Sequence, residues 1–182
     1  MSTARNQIAA VLSFWRAGGR DKWFAKDEAF DHAFRAGFTK VHMAAAAREC
    51  DDWMESAEGA LALVLMLDQF PRNAYRGTGH MYATDPLARH FARQAVAADF
   101  PAQIEPALRT FLLLPFSHSE DLADQHLAVA LNRTLDKEAR DWAEHHRDII
   151  ARFGRFPHRN VLLGRQTTAE EAAFMAEGGF EG

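Results

Sequence analysis

Three stretches of the chain combine residue types that do polar chemistry at short spacing: "LDQFPRNAYRG" at 67–77, "PFSHSEDLADQH" at 115–126, and "HHRDIIARFGRFPHRN" at 145–160 with Arg165 beyond it. The first offers Asp68, Gln69, Arg72, Asn73 and Arg76 around a Phe-Pro pair. Such donors serve either to occupy the four carbonyls that a helix end leaves open, or as planar guanidinium forks that face a carboxylate or phosphate. The second places His118, Glu120 and Asp121 where a helix is expected to begin, with Gln125 and His126 further on. Acids in a first turn are favoured by the helix dipole alone. His118 is less easily explained that way, because an imidazole near pH 7 acts equally as neutral ligand, base or acid. In the third stretch Trp142, Ile149 and Phe153 mark an expected buried stripe with His146 at its edge, and the next turn adds Arg155, His158, Arg159 and Asn160. Asp148 is the sole acid between Arg147 and Arg165. Guanidiniums turned inward there need carboxylates from elsewhere (Asp68, Glu120 and Asp121 are the candidates) or an anionic ligand, since an unpaired buried charge costs several kcal/mol or more.

Specific catalytic signatures are missing. There is no His-Glu-x-x-His, phosphate-binding glycine loop, Gly-x-Ser-x-Gly or Glu-x-x-His pair. Imidazoles and carboxylates at His118, Glu120, Asp121, His146 and His158 suit zinc, manganese or iron, but their spacing matches no metal-site template well enough to assign one. No metal is assigned and the cofactor is unknown.

Helices are expected to position these groups. Ile8, Val11, Leu12 and Trp15 fall on one helix face that Gly18-Gly19 ends. Asp27 caps a second helix with Phe30, Phe34 and Phe38 on its face, continuing to Ala47 with a break expected near Thr39. Ser56 precedes Ala57 to Gln69, apolar on nearly every side and so read as a helix buried all round. Pro71 should end it, turning the chain at Phe70-Pro71. Asp85-Pro86 reads as an N-cap with proline at the first helical position. A helix from about Glu105 to Leu114 is expected to stop at Pro115; Ser117 with Glu120 reads as a capping box for a helix to about Leu135; Asp136 starts another to Phe153. Thr167 or Thr168 with Glu170 or Glu171 caps a last helix ended by Gly178-Gly179. No segment has strand-like alternation. The expected fold is all-α, a single domain over residues 1–182 of seven or eight helices, arranged as helix hairpins or an irregular bundle.

Composition sets outer limits. A chain of 182 residues, 48% hydrophobic and 25% charged, suits one compact domain. Its apolar runs, Ala60 to Leu67 and Phe111 to Phe116, fall well short of the roughly 20 residues that cross a bilayer. No secretory signal is visible at the start. Lone Cys50 cannot form an internal disulfide, which favours a cytoplasmic setting, and its neighbours Glu49, Asp51 and Asp52 should raise its thiol pKa, which disfavours a reactive thiolate. A net charge of -4 argues against nucleic acid as partner.

"LVLMLDQFPRNAYRGT", "PFSHSEDLADQ" and "HRDIIARFGRFPHRNVLLGRQTTAEE" resemble the hallmarks of a bacterial domain-of-unknown-function family, number 924, from about Trp53 to the C-terminus and less sharply over "DKWFAKDEAFD". The resemblance implies an α-α superhelix of tetratricopeptide-repeat-like hairpins, although a 34-residue repeat is not legible in the chain itself. It places Asp68, Gln69, Pro71, Arg72, Asn73, His118, Ser119, Glu120, Gly154, Arg155, Pro157, Arg159, Asn160, Gly164 and Arg165 at motif positions and supplies a role for none of them.

Three readings follow. In the first, Asp68, Gln69, Arg72, Asn73, His146, Arg155, His158, Arg159, Asn160 and Arg165 line a pocket for a small anionic molecule, with His118 and Glu120 as an acid–base pair. In the second, the chain is an adaptor whose arginines clamp an acidic peptide. In the third, the polar turns are an internal ion-pair network that fixes how hairpins dock. The first two require the Phe-Pro turns to pool their side chains in one recess.

Overall fold

The computed structural model describes residues 3–133, 135 and 137–180. Among these there is no β-strand, and the helices run as α1 (Thr3–Gly18), α2 (Arg20–Trp23), α3 (Glu28–Ala46), α4 (Ala57–Val64), α5 (Phe70–Ala74), α6 (Asp85–Ala97), α7 (Phe100–Gln103), α8 (Pro106–Ser117), α9 (Leu122–Asn132), α10 (Lys137–Phe153) and α11 (Ala169–Ala176). No described helix is long and apolar enough to cross a membrane. The chain groups into two compact units: Met1–Arg76 with His80–Pro115, and Gly77–Gly79 with Phe116–Gly182. The two Phe-Pro segments therefore belong to different units.

The first unit is built on α4. Ser56 caps it by accepting from the Gly59 amide at 3.1 Å, and every residue from Gly59 to Phe70 is buried, as expected for a helix apolar on all sides. Val11, Leu12 and Trp15 of α1, Phe34 of α3, Phe91 of α6 and Phe111 of α8 pack around it. Asp27 caps α3 by accepting from the Phe30 amide at 2.8 Å. The break expected at Thr39 does not occur: the helix runs through it to Ala46, with the Thr39 hydroxyl donating to the Arg35 carbonyl at 2.6 Å. The short α2 and α7 and the 3-10 turn Asp51–Glu55 carry no hydrophobic period and were not legible.

Pro71 does not end the helix. A π-turn, Leu65–Gln69, carries α4 directly into α5, with the Phe70 amide reaching the Leu65 carbonyl five residues back. The amide that Pro71 lacks and the widened register leave carbonyls of this turn open, and donors from outside the helix meet them: the Met66 carbonyl accepts from His42 Nδ1 and the Leu67 carbonyl from the Thr84 hydroxyl. The expected stop at Pro115 is likewise overturned: α8 continues to Ser117 with Pro115 inside it. Asp85 is not a cap either, since it lies within α6 and spends its carboxylate on Arg72.

In the second unit α9 packs along α10. The capping residue of α9 is Asp121, which accepts from the Ala123 amide at 2.7 Å, in place of the expected Ser117–Glu120 box, and the helix ends at Asn132. Asp136, the expected start of the next helix, lies outside the described residues. Gly154, at φ +69, ends α10 before the Phe156-Pro157 pair is reached, so this proline also halts nothing. Thr168 and Glu171 form the expected capping box of α11. Trp142 is half exposed, correcting its place in the buried stripe; Ala143, His146, Ile149 and Ile150 fill that face.

Candidate functional site

In the first unit the widened π-turn carries Asp68 and Gln69 into the interior, Asp68 with no exposed surface. Arg72, one turn on, donates to Asp85 through both terminal nitrogens at 2.8 and 2.9 Å and to the Asp68 carbonyl at 2.8 Å; its Nη1 also lies 3.2 Å from the Asp68 carboxylate. The Gln69 amide donates to Asp68 at 2.6 Å. Burial disfavours the Arg72 charge, but the Asp68 and Asp85 carboxylates outweigh it and raise its pKa. Asn73 and Arg76 both donate to Asp31, at 2.6 and 2.8 Å. The donors of "FPRNAYR" thus end on carboxylates of the same unit. Buried His42 donates from Nδ1 to the Met66 carbonyl of the π-turn at 2.8 Å, and burial lowers its pKa despite that bond.

In the second unit the expected residues converge. Glu120 accepts from Arg165 at 2.7 and 3.0 Å and from the Phe156 amide at 2.8 Å. Burial alone would raise the Glu120 carboxyl, but those bonds and the charges of Arg165 and Arg159 hold it below the usual carboxylate range. Glu171 does two jobs. Besides capping α11 it accepts from Arg155 at 2.6 and 2.8 Å and from Asn160 at 3.2 Å. The Arg155 bond, opposed by burial and helped by the Thr168 amide, lowers its carboxyl to about 2. Glu171 is legible in the sequence only as a cap, and nothing near Asp85 or Asp31 marks them as partners of Arg72, Asn73 and Arg76.

What remains is an imidazole cluster. The His118 and His146 ring centroids lie 6.5 Å apart, Phe156 is 5.6 Å from both His146 and His158, and the Arg159 guanidinium sits 4.4 Å over the Phe156 ring. Phe180 packs on His146 at 4.7 Å and on His158 at 5.1 Å. His146 donates from Nδ1 to the Trp142 carbonyl at 2.7 Å, which leaves Nε2 as the acceptor of a neutral ring. Burial, against that bond, lowers His146 to about 4 with help from His118, His145 and Arg159. Burial and the charge of Arg159 take His158 to about 3. Both rings are neutral at physiological pH. Among the described residues the buried Nδ1 of His158 and Oδ1 of Asn160 have no hydrogen-bond partner. His126 is exposed and stands apart from the contacts given for this cluster. No three His, Cys, Asp or Glu side chains among the described residues are placed to hold a metal ion. Cys50 is buried, and burial followed by its acidic neighbours raises its thiol pKa, as expected.

Two surface concavities, of about 600 and 410 Å³, open on this unit; Trp142 and His145 line both, and none of the residues expected at the site lines either.

Fold and side chains together define an all-α protein whose motif turns are laced by arginine–carboxylate pairs. The chain belongs to the family described as "Bacterial protein of unknown function (DUF924)", whose pattern matches residues 11–179. It is similar to the solved structure of a protein of unknown function from Agrobacterium tumefaciens, at 53% identity over 96% of this chain and 99% of that one, with a TM-score of 0.94. No protein with a curated description matches.

Proposed function

We propose that the second unit binds a small anionic ligand, a carboxylate or phosphate, through His118, His146, His158 and Arg159. The observation that supports this is the gathering of His146, His158 and Arg159 about Phe156, with His118 6.5 Å from His146 and His158 Nδ1 buried and unpartnered. A neutral imidazole next to Arg159 gains a proton readily only when negative charge arrives, so anion binding and proton uptake are linked. Glu120, held ionised by Arg165 and the Phe156 amide, has no proton to give at neutral pH, so acid–base duty in this site falls to the histidines. Arg155, Asn160 and Arg165 support the walls through Glu171 and Glu120.

The test is titration of citrate and inorganic phosphate at pH 5.5 and 7.5 while the histidine ring C–H signals are followed by NMR. Saturable shifts at His146 and His158, with tighter binding at the lower pH, are expected. Absence of any shift at both pH values rejects the site.

A second reading, the internal network, is favoured by the pairing of Arg72, Arg155 and Arg165 with Asp85, Glu171 and Glu120. It predicts that Arg165→Ala lowers stability with no change in anion response.

A further inference from the structure

The smaller concavity, about 410 Å³, has an unusual lining: the rings of Trp142, His145, Phe174 and Phe180, the Gly178-Gly179 turn, and one carboxylate, Glu177. No lysine or arginine is among these residues. Trp142 is 51% exposed although it is a large aromatic on a well-formed helix. Its ring centroid lies 6.0 Å from His145 and 6.1 Å from Phe180, and His145 lies 5.7 Å from Phe180. The ring planes meet at 80°, 59° and 79°, so they stand as inclined walls and not as a stacked layer. The turn that completes the lining is specified by its glycines. Gly178 takes φ +86, and a Cβ on Gly179 would lie 2.6 Å from Phe174 atoms.

We propose that this recess is an aromatic cage for a small organic cation, a quaternary or methylated ammonium group. Aromatic faces carry negative potential that attracts a cation within about 6 Å of the centroid, most strongly at tryptophan. Glu177 adds the counter-charge at the rim. One ring of the set already receives a cation, since the Arg152 guanidinium lies 5.7 Å over Phe174. That leaves Trp142, His145 and Phe180 as the cage proper. The larger concavity beside it lacks this selectivity because Lys137 lines it and pairs there with Asp141. A methylated ammonium fits the recess better than a bare one, since its methyl groups exchange water for ring carbon without leaving N–H donors unsatisfied.

The probe is choline, compared with its neutral isostere 3,3-dimethylbutan-1-ol, with the Trp142 indole N–H followed by NMR and assigned through Trp142→Phe. Choline is expected to shift that signal with millimolar affinity, and the neutral alcohol about tenfold more weakly, a difference of about 1.4 kcal/mol that lies within the range of cation–aromatic attraction. Trp142→Ala should weaken choline at least tenfold as read from the Phe180 ring signals, and Glu177→Gln about threefold, the latter with an unchanged urea midpoint because that side chain is exposed. Equal response to choline and the alcohol, or an unmoved Trp142 signal at tens of millimolar choline, overturns the proposal. Neither result bears on the anion site, whose readout is the histidine ring signals.

Discussion

Arg72 shows how a residue type can be legible while its employment is not. The guanidinium fork was expected to face a ligand or open helix carbonyls, and it meets one such carbonyl, at Asp68. Most of its donors go to Asp85, which the sequence presents as the cap of a different helix. Breaking a buried pair strands the partner's charge, so Arg72→Ala should cost about 3–5 kcal/mol, read as a fall in the urea midpoint of the first unit. Asp68 has no exposed surface, and Asp68→Asn in the Arg72→Ala background should recover part of that loss by removing the stranded charge. A wild-type midpoint for Arg72→Ala would mean that Asp68 and Asp85 find water or other donors. Glu171 teaches a related lesson, because capping accounted for it so well that nothing prompted a search for a second partner, and only coordinates bring Arg155 and Asn160 to the same carboxylate.

At the scale of elements, the proline rule failed twice. It treats a proline as a missing amide and a clash, and helices were expected to end at Pro71 and Pro115. The π-turn at Leu65–Gln69 widens the helix just ahead of Pro71, and Thr84, seventeen residues away, donates to the Leu67 carbonyl as His42 does to Met66. Neither the widening nor the remote donor leaves a local signal. Near Pro157 the stop belongs to Gly154, whose positive φ ends α10 first. By contrast the cap at Asp27, a cap at Thr167 or Thr168 and the buried helix that follows Ser56 were legible, since each is set by residues within one or two turns. Thr84→Val keeps the shape and removes the hydroxyl, leaving the Leu67 carbonyl unpaired, and should cost about 1–3 kcal/mol. Pro71→Ala restores an amide to the helix, and it should largely offset that loss when combined with Thr84→Val. Additive losses in the double mutant, measured by urea unfolding, would show that the Thr84 bond and the proline are energetically independent.

For the molecule as a whole, all-helical architecture was legible because periodicity of 3.6 is written in every long segment, while the division into two units was not, because no linker composition marks it. The second unit carries a pH dependence that follows from its histidines. In the unfolded chain His146 and His158 titrate near 6.5, and in the folded unit burial takes them to about 4 and about 3. Above pH 6.5 both states hold neutral rings, and the histidines add no pH dependence. As pH falls below that value the unfolded chain takes up protons that the folded unit refuses, so stability declines by up to about 1.4 kcal/mol per pH unit for each histidine until the folded value is reached. Glu171 acts lower down. Its carboxyl sits at about 2 when folded, so the stability it lends is complete above the ordinary carboxylate range and is lost as pH falls toward 2. Buried His42 pushes the first unit in the same direction as His146 and His158 push the second, and amide hydrogen exchange in α9 and α10 separates the two. Protection there should drop steadily between pH 6.5 and 4 after correction for intrinsic exchange, and His146→Leu should roughly halve the slope while leaving the fall below pH 4 in place. A slope that His146→Leu leaves unchanged would remove His146 from the account, and protection that is level from pH 7 to 4 would show that both imidazoles find water in the folded state, against their burial.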